Sequence, residues 1–531
     1  MSSVDAILDI EQFSEWIGLH TRASKTCLTK QLSEWNSDEE KLACLSAKCK
    51  RFKAAFHRDP TFFPKCDAIF KECSEIEAKV ETLIDNHSKL ENESYNELLF
   101  LNPIMQPLNF LPFVLSLWAA IRIYVLPGIS LMIPILTIIA PYLILKLLFH
   151  IPITLENYIT ILHSMVTGTF QQTIEGNGTI LQQSFSPGAL LKQFGIVIVT
   201  CLQGIIQPYW THKHLKSIDN IVHENGKLIL RYKELYDALF ALLAENGFTF
   251  FTCPLPQIMT ERDAVARIIL EPTYFRIALK YIGSLEVLMK IVHQKDVHPV
   301  AWYRVTTPCK ATTPCKATTP YKATTTCKAT TPCKPLFSIK DTYDFQVKEE
   351  TRKTISAHFT KQHALLTGPN KGGKSTVLRA LSMSALLAHT YGCSIGRTKM
   401  TPFKKMYVCL KPDDLPGSKS RFEREIEFTA NTLKEQGPIL IFIDELYHST
   451  NPPDALRSCE IYCEQLWKKS DRISVISTHL FELVENAPAT IQRLCCPATV
   501  DKGEVTFLYY MTEGICKVSS VDTLLRSNGL L

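Results

Sequence analysis

An α/β C-terminal domain with a mainly parallel sheet, preceded by a mainly α-helical region that carries a transmembrane hairpin, is the architecture predicted for this 531-residue chain. Three observations predict it. From about Leu336 onward, apolar β-type runs alternate with helical stretches, the pattern of strands joined by helical crossovers. Within that region a glycine-rich segment, TGPNKGGKST (Thr367–Thr376), follows the short apolar run that begins at His363. Far upstream, the stretch from Phe110 to Phe149 has only two charged residues, Arg122 and Lys146.

Length and composition bound the rest. At about 150 residues per domain the chain has room for three or four. The net charge of +6 is too mild to argue for a nucleic-acid or anionic-membrane partner by itself. The eighteen cysteines are scattered, four of them fall in one repeat, and none forms a Cys-x-x-Cys pair, which argues against a zinc ribbon or a redox pair. They read as reduced packing residues of a protein facing the cytosol. The first twenty residues, MSSVDAILDIEQFSEWIGLH, carry acids where a secretory signal carries bases, so no cleavable targeting sequence is predicted.

Taken in order, residues 1–106 predict a helical region, because segments such as Ser74–Phe100 place apolar residues at helical intervals with few breakers. Residues 107–149 predict a membrane hairpin with spans Pro107–Leu126 and Ile129–Phe149, divided at Pro127-Gly128. Arg122 would snorkel near the end of the first span, and Pro134 and Pro141 would kink the second. The competing reading is an unusually apolar pair of core helices. Residues 150–305 predict a helical, lever-like region, in which the apolar stretch Phe194–Trp210 contains Gln203 and Gln207 and is expected to pack in protein or lie at an interface. Residues 306–335 repeat a six-residue unit, TTPCKA, whose prolines and lack of large apolar residues predict an extended linker; the cysteines at every sixth position have no partner to complete a metal site. Residues 336–531 are the α/β domain.

The glycine-rich segment has the spacing of a phosphate-binding loop, Gly368, four residues, then Gly373-Lys374-Ser375. Glycines let the backbone close around an anion, and the helix that follows turns its positive end toward it. Gly368, Pro369, Asn370, Lys371, Gly372, Gly373, Lys374, Ser375 and Thr376 are therefore the predicted nucleotide cradle, with Lys374 on the terminal phosphates and the Ser375 hydroxyl on Mg²⁺. A second apolar run, Ile439–Ile443, ends in Asp444-Glu445. Acids at the C-terminal end of a buried strand lie where open parallel sheets put their ligands. Asp444 would hold Mg²⁺ and Glu445 would orient and deprotonate the attacking water. A third strand from Ile473 leads to His479, a candidate sensor of the terminal phosphate.

With these blocks in view, the chain resembles the ATPase domain of the MutS family of DNA mismatch repair proteins. TGPNKGGKST, SKSRFEREIEFTANTL (Ser418–Leu433), IDELYHSTNPPDA (Ile443–Ala455) and STHLFEL (Ser477–Leu483) follow that domain's order and spacing, and the tail Phe507–Leu530 resembles its end. The resemblance covers about 336–531 and implies an α/β P-loop NTPase of ABC type that binds ATP and Mg²⁺. It further implies composite sites shared by a homodimer or heterodimer, with Ser420 reaching the terminal phosphate of the opposite subunit, Thr450 and Asp454 communicating across the dimer, Glu445 and His479 catalytic, His479 matching the family's histidine after the strand beyond, and DNA as the bound ligand.

The chain departs from that pattern in several places. Tyr447-His448-Ser449 stands where typical members have Gly-Arg-Gly, and Lys371 stands in place of the usual methionine. The mismatch-reading Phe-x-Glu wedge is matched equally by Phe13-Ser14-Glu15 and Phe70-Lys71-Glu72, so the match is uninformative. These departures resemble the divergent membrane-associated members, with the ATPase domain facing the cytosol. The alternative keeps the membrane-anchored ATPase but makes its client a protein or the membrane itself. An ABC transporter half is disfavoured by too few spans and no Leu-Ser-Gly-Gly-Gln signature, and a non-hydrolysing scaffold by the intact Lys374, Asp444 and Glu445.

Overall fold

The computed structural model describes residues 7–86, 95–100, 102–167, 187–303, 334–359, 361–410, 420–501, 504–519, 521, 525–526 and 529–530. All but the last two residues of the predicted hexapeptide linker lie outside these. The chain divides into two compact units, one formed by Met1–Ser74, Glu245–Gly247 and Leu279–Leu531, the other by Glu75–Ala244 and Phe248–Ala278.

The first unit is built on a six-stranded sheet whose strands we number in chain order: β1 His363–Thr367, β2 Lys405–Cys409, β3 Ile439–Ile443, β4 Arg472–Ser477, β5 Gln492–Cys495 and β6 Thr512–Glu513. Their order is β6-β5-β1-β4-β3-β2, all parallel except the antiparallel edge strand β6. Every residue of β1, β3 and β4 is buried, which is why these strands read as near-continuous apolar runs rather than as alternating patterns. Helix α1, Lys374–Tyr391, starts at Gly373 and stops at Gly392, both in the left-handed conformation that glycine tolerates. It is buried at nearly every position because it touches sheet strands and also the N-terminal helices Arg22–Ser33 and Glu39–Arg58.

That docking is polar as well as apolar. Tyr391 donates to Gln31 Oε1 (2.9 Å), Ser46 donates to the Gly392 carbonyl (2.8 Å), and the Trp302 indole donates to the Ser46 hydroxyl (2.7 Å). His389, fully buried, stacks on Trp35 at 3.9 Å, with Nδ1 2.7 Å from the Asn36 carbonyl. Burial pushes its pKa down to about 3, so the ring stays neutral and Nδ1–H donates to that carbonyl.

The second unit corrects the predicted hairpin. Pro127-Gly128 makes no turn; helix continues from Pro112 to Leu148, with π-helical turns at Ile121–Val125 and Ile144–Leu148. Gly128 is not among the glycines with positive φ, so the dipeptide lacks the backbone reversal that a Pro-Gly turn requires. Proline is accommodated differently. Pro127 has no N–H for the Ile123 carbonyl one turn back, and His212 Nδ1 lies 2.8 Å from that oxygen instead. Pro134 and Pro141 also lie within the helix.

His212 belongs to a 59-residue helix, Pro187–Glu245, that absorbs the apolar stretch Phe194–Trp210. Beyond it, the buried residues Leu215, Ile218, Val222, Ile229, Tyr232, Tyr236, Leu239 and Leu243 recur at helical spacing, as the amphipathic pattern predicts. At Gly226 an added Cβ would lie 2.3 Å from the Glu261 carbonyl oxygen, so glycine permits a close backbone approach there.

Candidate functional site

Strand order assembles the site. Because β4 lies between β1 and β3 and all three are parallel, the loops leaving them emerge at one edge of the sheet: the glycine-rich loop after β1, Asp444-Glu445 after β3 and His479 after β4.

The loop is held by backbone constraints. An added Cβ on Gly368 would meet the Cys496 carbonyl oxygen at 2.9 Å, and one on Gly372 would meet the Pro369 oxygen at 2.9 Å, so side chains are excluded from the cradle. Gly372 N–H donates to that same Pro369 oxygen (3.0 Å), and Gly373 takes φ +95°. Lys371 adopts φ +65°. The buried Lys374 ammonium donates to the carbonyls of Gly368 (3.0 Å) and Pro369 (3.2 Å). Burial lowers its pKa, opposed by the negative charges of Glu445 and Asp444. Ser375 is exposed in the first turn of α1, and Asn370 is exposed beside the loop.

Ser477, the last residue of β4, connects the two acids. Its hydroxyl donates to Asp444 Oδ1 and accepts from the Glu445 N–H (3.0 Å). Glu445 itself sits at φ +52°, a conformation that costs a non-glycine residue on the order of 1–2 kcal/mol. Its carboxylate meets His479 Nε2 at 2.9 Å, and that hydrogen bond, ahead of the charge of Lys374, holds the Glu445 pKa below the usual carboxylate value despite half-burial. Asp444 N–H donates to the Cys409 carbonyl (2.8 Å), tying the acidic turn to β2.

Sequence reasoning passed over Ser477; the available signal was a lone hydroxyl at the end of an apolar strand. In sequence, Tyr447 reads only as a departure from the family pattern. It takes φ +57°, the conformation a glycine would adopt there, while its hydroxyl pairs with Thr429 Oγ1 (2.5 Å) and its ring meets Phe422 edge-on at 5.8 Å. Burying the ring and pairing its hydroxyl, together about 2–3 kcal/mol, offsets the strain. Ser449 donates to Glu425 Oε2 (2.9 Å), whose pKa burial raises.

Ser420 stands apart from this cluster. It caps the helix Arg421–Lys434 in a capping box: its Oγ accepts from Glu423 N–H (3.2 Å), and its N–H donates to Glu423 Oε2 (2.8 Å). Asp454 lies in the first turn of Pro452–Leu466, where Asn451 caps and donates to its carboxylate (2.7 Å). Thr450 is half-buried just before that cap.

Residues 364–522 match the family model of MutS domain V. Over this segment the chain is similar to domain V of the MutS family. Domain V is the ATPase domain of that family and a P-loop NTPase-type domain, which agrees with the parallel sheet and glycine-rich loop. The match begins within β1 and takes in β2 to β6, whereas the strand Phe337–Thr342 precedes it. MutS-family ATPases use ATP and Mg²⁺, dimerise and bind DNA, so the cradle, the acids and the family point to the same class of ligand.

Proposed function

We propose that this protein is a membrane-anchored, dimeric MutS-like ATPase that binds a DNA structure and changes its grip as ATP is bound and hydrolysed. The observation that carries this reading is the parallel order β1-β4-β3, which brings the glycine-rich loop with Lys374 and the acids Asp444 and Glu445 to one sheet edge. The residues fit a magnesium triphosphate: a loop whose glycines exclude Cβ atoms, a buried ammonium, and two adjacent acids, with Ser477 bonded to the Asp444 carboxylate and to the Glu445 N–H. Gly368 to Thr376 would hold the phosphates, and Ser375 with Asp444 the Mg²⁺, which supplies charge neutralisation when bound. Glu445, kept ionised by His479, accepts the proton of the attacking water.

Ser420 acts in trans in this reading. Its capping oxygen accepts a hydrogen bond, which leaves the hydroxyl proton free to donate across a dimer. Ser420→Asn separates the two uses, because asparagine caps as well as serine but carries no hydroxyl. The expected result is an unchanged melting curve with reduced ATP turnover; a turnover equal to that of the parent chain would remove Ser420 from the site.

The pH dependence follows from Glu445. Its folded pKa is depressed, so the general base stays ionised to lower pH than a free glutamate, and the associated stability is lost as pH falls through the folded value. His479→Ala removes the largest cause of the depression. The acid limb of the rate profile is expected to move to higher pH, and a limb that stays in place would exclude the pairing from catalysis.

A second reading, in which the client is a protein or the membrane itself, is favoured by the exposed apolar helix of the second unit. Gel shifts of the full chain with duplex and branched DNA, with ATP and over a salt series, distinguish the two. DNA binding predicts a steep loss of affinity with salt, and no shift at low salt favours the second reading.

A further inference from the structure

The geometry points to a two-span lipid anchor made from 125–148 and 192–210, not from the adjacent segments 107–126 and 129–149. The apolar runs of the two long helices lie side by side and antiparallel, since His212 meets Ile123 and Gly204 meets Pro134. An added Cβ on Gly204 would sit 2.8 Å from Pro134 Cγ, the close approach that small residues permit between membrane helices. In sequence, the charges at the ends of the runs are Arg122 and Lys146 on one helix and Lys192 and Lys213 on the other. At about 1.5 Å per residue these pairs stand about 36 Å and about 32 Å apart. A bilayer core is roughly 30 Å thick. Pro134 lies midway along the first run and Gly204 close to the middle of the second, so the tightest helix contact falls at the centre of both.

Aromatic and basic side chains mark both ends. At one level, Lys216 lies over the Tyr124 ring (5.7 Å), Lys213 over Trp210 (5.2 Å), and Tyr209 and Trp210 are more than half exposed. At the other, Lys146 donates to the Tyr142 hydroxyl (3.2 Å), and Tyr142 packs on Tyr158 (5.3 Å). Amphipathic rings with cations beside them suit the phosphate-rich headgroup layer. Between these levels most of the described large apolar side chains of the first helix face outward, with Leu136 53% exposed; Ile206 on the second is 47% exposed. The preceding turn is different. Pro112–Ala120 buries Leu115 and Ala119 and contacts the charged helix Glu261–Leu270, so it stays outside the lipid. Two crossings return the chain to its starting side, where Lys213, Lys216, Lys227 and Arg231 follow the second span; that bias makes it the cytosolic side.

This inference rests on the membrane-anchored reading, and one experiment keeps the two apart. Membranes from cells expressing the full chain are extracted with alkaline carbonate. The parent chain and Phe113→Arg are expected to stay in the pellet, while Ile205→Arg with Ile206→Arg raises the extracted fraction by at least about tenfold. Extraction of the parent chain would overturn the anchored reading itself. Retention of the double variant together with release of Phe113→Arg would overturn only this assignment of spans. Hydrogen exchange of the parent chain in lipid nanodiscs needs no variant: 125–146 and 192–208 should exchange more slowly than 112–120, and the opposite order sinks the assignment.

Discussion

Glu445→Gln is expected to lower ATP turnover by about 10²- to 10⁴-fold while leaving nucleotide binding intact, because it removes the proposed general base without removing volume. The structure makes the substitution unusually clean. The left-handed backbone of Glu445 and its N–H bond to Ser477 do not depend on the carboxylate charge, so the turn should survive. Glutamine also retains an acceptor for His479. What it loses is an anion that Lys374 and His479 hold in the charged form. Single-turnover hydrolysis and equilibrium binding of a fluorescent ATP analogue, measured on the same preparation, separate the outcomes. Parental turnover would exclude Glu445 as the base, and loss of binding together with turnover would make it a structural residue. Stable ATP occupancy with slow turnover should also hold the proposed composite dimer closed, so the same variant is the appropriate one for measuring ATP-dependent dimerisation.

The parts of this site that were legible in the sequence are those whose chemistry is local. A phosphate loop and the helix that follows it are contiguous, and their residue types are dictated by the backbone that must surround an anion. Asp444-Glu445 was legible because a buried strand that ends in two acids needs a reason. Ser477 was not, because its importance comes from β4 lying between β1 and β3, an ordering that no single segment encodes. Tyr447 reads as a poor substitute for glycine until Thr429 and Phe422, eighteen or more residues upstream, are seen to hold it. The hairpin failed for a related reason. Pro127-Gly128 is a turn signal only where the backbone is free to reverse; here π-helical turns and His212, from a helix far along the chain, let the helix pass through it. The docking of residues 22–58 on α1 was equally hidden, since Gln31, Trp35 and Ser46 carry no pattern that announces a partner.

That docking yields the second large expected effect. Gly392→Ala should destabilise the first unit by about 2–5 kcal/mol, from two separable sources. One is conformational: Gly392 has φ +71°, which costs an L-residue about 1–2 kcal/mol. The other is steric. A Cβ there would lie 2.4 Å from Ser46 N and 2.5 Å from the Leu45 carbonyl carbon, backbone atoms of the Glu39–Arg58 helix that cannot rotate away. Gly437→Ala isolates the first source, since its φ is +93° but its Cβ would meet only the flexible Lys404 side chain at 3.8 Å. Comparing the two by thermal inactivation of ATP binding should therefore show a small loss for Gly437→Ala and a much larger one for Gly392→Ala. Limited proteolysis should then expose residues 22–58 in Gly392→Ala alone. Equal losses would mean that the N-terminal helices do not press on the end of α1. Because α1 begins at Lys374, a variant that loosens its far end is also expected to weaken nucleotide binding without touching a residue of the cradle.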